Sequence, residues 1–223
     1  MTGKLFFQAI AKFSAGVVIL GVLLFLPAGS FAYWQAWLLL GILFIPMFFA
    51  GIVMMIRNPE LLKKRLNAKE EESQQKTVLI LSALMFLLAF VLAGLNDRFA
   101  WIVLPDWVPF AAAVVFLIGY LLYAEVLREN AYLSRTIEVQ ENQKVIDTGL
   151  YGVVRHPMYL STVILFLAMP LVLGSLISFA VMLFYLPIIA MRIRNEEEVL
   201  EQGLEGYAEY KKRVRYKVIP HLW

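Results

Sequence analysis

Long uncharged stretches, separated by short polar segments, dominate the chain. No formally charged residue occurs from Phe13 to Ile56. Because about 20 apolar residues span the hydrocarbon core of a bilayer, this stretch is long enough for two helices. The turn-forming sequence PAGS at 27–30 separates them. The pattern predicts a first helix over about residues 7–26 and a second over about 33–56.

The second half of the chain repeats this pattern. Residues 77–96 and 107–124 are uncharged and each has the length of one membrane helix. Residues 156–191 lack formal charge when the histidine at their start is neutral, and Pro170 with Gly174-Ser175 interrupts them.

The last of these stretches is predicted to form a hairpin of two short helices, about 158–173 and 175–191. The fold class predicted for the whole chain is therefore an all-α polytopic membrane protein. It has about six hydrophobic helical segments, of which the last two form this hairpin.

A charged segment separates the second and third helices. Residues 58–76 contain Leu61, Leu62 and Leu66 among many charges, which is typical of a short amphipathic helix at the membrane interface. A solvated charged loop is the alternative interpretation.

Composition supports a membrane protein. The chain has 223 residues, of which 61% are hydrophobic and 17% charged, whereas soluble domains average about 45–50% and about 25%. These values exclude a disordered chain and disfavour a soluble globule. There is no cysteine, and the two histidines, His156 and His221, are too far apart for a zinc motif, so no metal site is expected.

The distribution of lysine and arginine predicts the orientation. Basic residues are concentrated before the first helix, in residues 57–76 and in the tail, whereas residues 27–32 have none and 97–106 have only Arg98. An even number of spans puts both termini and residues 125–157 on the same side as these charges. The positive-inside rule therefore predicts that this side is cytoplasmic.

The most informative polar segment precedes the hairpin. Residues 140–159 read QENQKVIDTGLYGVVRHPMY, with a turn signal at Asp147-Thr-Gly149. Arg155 and His156 stand at the mouth of an apolar helix, and Pro157 suits its first turn. Such a pair is compatible with anchoring at the lipid headgroups or with an anion or cofactor site.

A second polar cluster follows the hairpin, in the sequence MRIRNEEEVL at residues 191–200. If the helix continues, Arg192 pairs with Glu196 and Arg194 with Glu198 at i,i+4 spacing. These pairs are compatible with an ordinary surface helix or with a site. The sequence then reads YAEY at 207–210, before a basic run that would attract anionic lipid.

The order of these motifs is distinctive. RHPxY, an apolar hairpin, RxxxEE and YxxY follow one another over about residues 140–220. This order resembles the isoprenylcysteine carboxyl methyltransferase family and the related phospholipid N-methyltransferases, which are membrane enzymes that use S-adenosylmethionine. Membrane sterol reductases have a similar C-terminal layout.

The resemblance implies a set of site residues. Those implied to bind the cofactor are Gln143, Lys144, Val145, Ile146, Gly149, Tyr151, His156, Pro157, Met158, Tyr159 and Glu196, with Glu196 on the cofactor's ammonium group. Those implied to act in catalysis are Arg192, Arg155 and Glu197. Arg192 would meet the substrate carboxylate, and Arg194 is the alternative if the register slips.

The resemblance also implies a division of the chain and an activity. Residues 1–127 would hold four helices with the interfacial loop 57–76, and residues 128–223 the methyltransferase-like region with its cytoplasmic cap. We expect a methyltransferase that acts on a lipid-linked carboxylate, such as that of an isoprenylcysteine-like acceptor entering from the bilayer. Nucleic acid is not expected as a partner, and no feature specifies an oligomeric state.

Other activities stay open on the sequence. One is methylation of a phospholipid or another amine, for which His156 or Glu197 would be the candidate proton acceptor. Another is an NADPH-dependent reductase of the sterol-reductase type. A non-enzymatic transport or assembly factor is the third, and it would bind neither cofactor.

Overall fold

The computed structural model of the protein describes residues 3–66, 73–133, 137 and 139–223, and it contains no strand within these ranges. In chain order the α-helices there are α1 (Gly3–Ala28), α2 (Trp34–Arg57), α3 (Pro59–Leu66), α4 (Ser73–Phe99), α5 (Trp107–Glu129), α6 (Pro157–Val172), α7 (Leu176–Met182), α8 (Tyr185–Gly203) and α9 (Tyr207–Arg213). A 3₁₀ turn, Gly149–Gly152, precedes α6.

The predicted fold class is confirmed. Five helical stretches are long and apolar enough to cross a membrane: Leu5–Ala28, Trp34–Arg57, Lys76–Phe99, Trp107–Glu129 and Leu176–Gly203. The shorter apolar helix α6 is the sixth hydrophobic segment. The protein is an all-α, multi-pass membrane protein.

Several helix boundaries differ from the uncharged stretches. The last helix continues to Gly203 rather than ending near residue 191, because glutamate, arginine and leucine are good helix formers outside the membrane as well. The second arm of the hairpin is also divided between α7 and α8. Pro187 explains this break, since it has no N–H to donate to the carbonyl of Leu183 four residues earlier.

A helix is present in the segment predicted to be interfacial, but it is shorter than predicted. The Asn58 side chain accepts a hydrogen bond from the Leu61 amide over 3.1 Å at the start of α3, and Leu61 and Leu62 are buried. The interpretation as a solvated loop is therefore wrong over 59–66. Residues 67–72 of the predicted segment lie outside the described residues.

The helical turns meet at one end of the bundle. The Tyr33 hydroxyl donates to the carbonyl of Leu173 over 2.7 Å. The Asn96 side chain donates to the carbonyl of Ile102 over 3.0 Å and to the carbonyl of Gly174 over 3.5 Å. The turns after α1, α4 and α6 therefore lie together, and α3, the segment before α6 and the tail lie at the opposite end.

Two apolar cores hold the helices together. One joins α1, α2, α4, α5 and α6, and the other joins α4, α6, α7 and α8 with Val218 of the tail. Each core takes residues from both sides of the boundary predicted at residues 127/128. Close packing needs small residues: a Cβ atom on Gly94 would lie only 2.6 Å from the Leu24 carbonyl oxygen.

The C-terminal tail is bound to the loop before α6 by backbone hydrogen bonds. The amides of Arg155 and His156 donate to the carbonyls of Tyr216 and Lys217 over 2.9 and 2.8 Å. The Arg155 guanidinium adds hydrogen bonds to the carbonyls of Val214 and Arg215. These contacts hold the tail against the start of α6.

Glu197 of α8 is the ionic centre of this attachment. Its carboxylate is 2.8 Å from Arg155 Nε, 3.1 Å from His156 Nε2 and 3.3 Å from Lys217 Nζ. The side chains of Glu197 and Arg155 are only 5% and 4% exposed. A carboxylate buried this deeply requires close cationic partners. Because these partners come from different segments, α8, the loop before α6 and the tail are joined at Glu197.

We predict that Glu197→Ala destabilises the protein by about 3–5 kcal/mol or prevents folding, because it leaves the charge of Arg155 buried without its partner. Unfolding of the purified protein in detergent measures the effect. Glu198→Ala is the matched control: Glu198 is 56% exposed and pairs with Arg194, so its loss should cost less than about 1 kcal/mol. Equal stability of the two variants would contradict the role of Glu197.

Candidate active site

A polar cleft lies at the end of the bundle where the tail is attached. It is bounded by the segment after α5, the 3₁₀ turn, the start of α6, the second half of α8 and α9. Its lining residues are Asn130, Tyr132, Leu133, Ile137, Gln143, Lys144, Val145, Ile146, Tyr151, Arg155, His156, Met158, Tyr159, Arg192, Glu196, Leu200, Leu204, Tyr207 and Tyr210.

Side-chain hydrogen bonds shape the segment after α5. The Gln140 side chain donates to the Tyr132 carbonyl over 2.5 Å. The backbone amide of Gln140 donates to the side-chain oxygen of Gln143 over 2.8 Å. The Tyr132 hydroxyl donates to the carbonyl of Asn142, which has a positive φ of 56°. These hydrogen bonds hold residues 140–143 close to Tyr132, and residues 143–146 lie on the wall of the cleft.

A chain of hydrogen bonds joins α6 and α8 across the cleft. Arg192 Nε donates to the Tyr159 hydroxyl oxygen over 3.0 Å, and that hydroxyl donates to the Glu196 carboxylate. Pro157 occupies the first turn of α6 as predicted, which brings Tyr159 opposite α8. The cation and the carboxylate at i,i+4 positions are therefore held on either side of one tyrosine hydroxyl.

The remaining wall comes from α9 and the end of α8. The Tyr210 hydroxyl donates to the Tyr151 carbonyl over 2.7 Å, and Asn130 donates to the Tyr151 hydroxyl over 2.9 Å. The buried hydroxyl of Tyr207 has no hydrogen-bond partner among the described residues. Burial, together with the nearby carboxylates of Glu197 and Glu196, raises the pKa of Tyr207 above its ordinary value, so this hydroxyl stays protonated.

Most of the residues predicted for the site line this one cleft. They are Gln143, Lys144, Val145, Ile146, Tyr151, Arg155, His156, Met158, Tyr159, Arg192 and Glu196. Four predicted residues are not part of the lining: Gly149, Pro157, Arg194 and Glu197.

Gly149 contributes to the turn rather than to the lining. Its φ is +52°, and a Cβ atom there would lie 2.0 Å from a Glu129 carboxylate oxygen. Glu129 also accepts a hydrogen bond from the Thr148 hydroxyl over 2.6 Å. Only glycine combines this conformation with this close approach, so the residue positions the 3₁₀ turn.

Arg194 and Glu197 face away from the cleft in different directions. Arg194 is 80% exposed and pairs with Glu198 over 3.4 Å, as its i,i+4 spacing predicts. Glu197 lies in the buried ion cluster with Arg155 and His156. On α8, Arg192 and Glu196 are the charged residues that line the cleft.

Several lining residues were not predicted: Asn130, Tyr132, Leu133, Ile137, Leu200, Leu204, Tyr207 and Tyr210. Two signals were available. Leu200 follows Glu196 at i+4 and so shares its helix face, and the YxxY sequence of the tail supplies Tyr207 and Tyr210. The segment after α5 carries no comparable motif.

Comparison with known proteins gives partial matches. Residues 107–205 match the family model described as phospholipid methyltransferase. A relative from Mus musculus, the Delta(14)-sterol reductase TM7SF2, is 32% identical over 91 residues, which are 40% of this chain and only 22% of that protein.

The family match runs from the start of α5 to the end of α8. It therefore includes the hydrogen-bonded residues Tyr159, Arg192 and Glu196. The match supports a membrane methyltransferase of the broader group that includes the phospholipid enzymes. The resemblance to isoprenylcysteine carboxyl methyltransferases stays a prediction.

Proposed function

We propose that the protein is an integral membrane methyltransferase that uses S-adenosylmethionine to methylate a lipophilic acceptor. The observation that carries the proposal is the hydrogen-bonded series Arg192–Tyr159–Glu196 on the wall of the cleft. It offers one anionic and one cationic group at the point where apolar helices meet a polar cap. The match to the phospholipid methyltransferase model supports the reaction class.

The cleft fits this cofactor chemically. Glu196 can pair with the ammonium group, and its side chain is 24% exposed. Val145, Ile146 and Leu200 offer apolar surface to the nucleoside, and the buried Tyr207 hydroxyl offers a donor that the described residues do not use. When bound, the cofactor would supply a methyl group activated by a sulfonium.

Arg192 is proposed to orient the acceptor. The hydrogen bond from its Nε to Tyr159 fixes the direction of the guanidinium plane, and a planar guanidinium recognises a carboxylate through two parallel donors. A carboxylate is ionised at pH 7 and needs no general base. Catalysis would then depend on positioning and on exclusion of water.

Arg155 and Glu197 suit a structural role better than the catalytic one implied by the resemblance. Arg155 donates to Glu197 and to two tail carbonyls. Glu197 is surrounded by cationic side chains and does not line the cleft. A carboxylate held in this way is a poor proton acceptor, which favours a reaction that needs none.

The acceptor would approach from the bilayer. Met191, next to Arg192, is 47% exposed, and Phe184, near the start of α8, is 65% exposed. Apolar side chains exposed on a membrane helix face lipid. An acyl or isoprenoid chain beside them would bring its polar end to Arg192 without leaving the hydrocarbon.

A reductase is the second candidate, because of the similarity to the mouse sterol reductase. Glu196 on the cleft wall suits a cationic cofactor group, whereas Lys144 and Arg192 of the same lining would suit the phosphates of NADPH. Isothermal titration of the purified protein with S-adenosylhomocysteine and with NADPH distinguishes the two. Binding of NADPH alone would contradict the proposal.

We predict that the cleft faces the cytoplasm. The chain has no cysteine, so single cysteines can be introduced at two exposed positions, Ser30 at one end of the bundle and Glu141 beside the cleft. In intact cells an impermeant maleimide should label Ser30→Cys, and it should label Glu141→Cys only after permeabilisation. The reverse result would contradict the orientation.

We predict that Glu196→Gln weakens S-adenosylhomocysteine binding at least tenfold, about 1.4 kcal/mol, because it removes the charge opposite the ammonium group. Glu198→Gln, two residues along the same helix and exposed, should bind like the parent. Calorimetric titration of both variants measures the difference. Parental affinity in a folded Glu196→Gln variant would place the cofactor elsewhere.

We predict that Arg192→Ala loses most methyl transfer to a lipid carboxylate while keeping cofactor affinity. Losing the partner of a poorly solvated carboxylate costs about 3–5 kcal/mol. Arg192→Lys should rescue poorly, since lysine lacks the planar fork. Arg194→Ala, on the exposed face, is the matched control and should turn over normally.

Methyl transfer by Arg192→Ala to different acceptors also distinguishes a carboxylate acceptor from an amine acceptor. A guanidinium repels a protonated amine, so transfer to a matched lipid amine should be little affected, or improved, in Arg192→Ala. Near-parental transfer to the carboxylate would refute the role of Arg192. Transfer by the parent to the amine alone would identify an N-methyltransferase instead.

A further inference from the structure

One tyrosine of the cleft differs from the others. Tyr207 is 4% exposed and lines the cleft, yet its hydroxyl has no hydrogen-bond partner in the part of the chain that the structure describes. Each of the other tyrosine hydroxyls there takes part in a hydrogen bond, namely those of Tyr132, Tyr151, Tyr159 and Tyr210.

A buried hydroxyl without a partner is unfavourable, because it has lost its hydrogen bonds to water. Most buried polar groups in native proteins are therefore satisfied. An exception on the wall of a cleft is a place where a bound molecule can complete the hydrogen bond. The Tyr207 hydroxyl is thus a candidate ligand contact, in addition to the residues that the sequence motifs indicate.

The surroundings of Tyr207 indicate what kind of group it meets. Burial and the charges of Glu197 and Glu196 keep the hydroxyl protonated, so it can act as a donor. Glu196 already accepts a hydrogen bond from Tyr159, and Glu197 is bound by Arg155 and His156. No described residue therefore supplies the missing acceptor, and an acceptor atom of a ligand in the cleft can supply it.

Given the proposed function, the position of the Tyr207 hydroxyl near Glu196 indicates which group of the cofactor it meets. If Glu196 binds the ammonium group of the cofactor, the carboxylate on the same carbon atom lies close by and needs a donor. Two basic residues next to this point, Arg155 and His156, are bound elsewhere: Arg155 Nε and His156 Nε2 contact Glu197, and Arg155 Nη1 donates to two tail carbonyls. We propose that the Tyr207 hydroxyl donates a hydrogen bond to the α-carboxylate of S-adenosylmethionine.

Two ligands test this assignment on the purified full-length protein. S-adenosylhomocysteine carries the carboxylate, whereas 5′-methylthioadenosine keeps the nucleoside and thioether but lacks the amino-acid part. Tyr207→Phe should weaken S-adenosylhomocysteine about tenfold in calorimetric titration, and should leave the affinity for 5′-methylthioadenosine unchanged. The contrast depends on binding alone and needs no turnover.

Two matched variants serve as controls. Tyr216→Phe removes a hydroxyl that lies outside the cleft lining and contacts His221, and it should bind both ligands like the parent. Without ligand, Tyr207→Phe should melt at or above the parental temperature, because it removes an unsatisfied group. Tyr210→Phe should melt lower, because its hydroxyl holds the Tyr151 carbonyl.

The outcomes separate this proposal from the one on which it rests. Parental affinity of Tyr207→Phe for S-adenosylhomocysteine would overturn the proposal, and so would an equal loss for both ligands, which would move the contact to the nucleoside. A lowered melting temperature of the ligand-free variant would also overturn it, since the hydroxyl would then have an internal partner. Failure of the parent to bind S-adenosylhomocysteine would contradict the proposed function itself.

Discussion

The buried carboxylate of Glu197 is the constraint on which the cleft depends. A charge with 5% exposure is tolerated only with close cationic partners, and its partners come from the loop before α6 and from the tail. Segments distant in sequence must therefore meet at α8. The tail then covers the end of the bundle, and the cleft forms beneath it.

Helix α8 runs from the apolar part of the bundle to the polar end where the cleft lies. The first part of α8 is apolar, with Ile188, Ile189 and Ile193 buried in the second core, while its second part carries arginine and glutamate. Arg192 and Glu196 lie where these two environments meet. Under the proposed function, an acceptor confined to lipid and a charged cofactor from water would meet at this boundary.

Several tyrosines line the cleft, and their hydroxyl groups make different contacts. Tyr159 links Arg192 to Glu196, and Tyr210 ties α9 to the 3₁₀ turn. Tyr207 presents a hydroxyl that the described residues leave unused. A phenol suits this location because its ring packs against apolar neighbours while its hydroxyl reaches a polar partner.

Hydrophobic patterning was enough to predict the membrane fold. A hydrocarbon core of fixed thickness requires uncharged segments of about 20 residues, and these can be counted along the chain. Helix ends outside the membrane were less predictable, because hydropathy does not mark them. The continuation of α8 to Gly203 and its separation from α7 depend on helix propensity and on the missing N–H of Pro187.

The sequence motifs contain most of the predicted residues that line the cleft, but the tertiary structure decides which way each residue faces. Glu196 and Glu197 are neighbours in sequence, yet successive residues of an α-helix point about 100° apart, so one faces the cleft and the other the tail. Arg192 and Arg194 are separated in the same way. Spacing determines which residues share a helix face, whereas only the packing of the tail and the segment after α5 decides what covers that face.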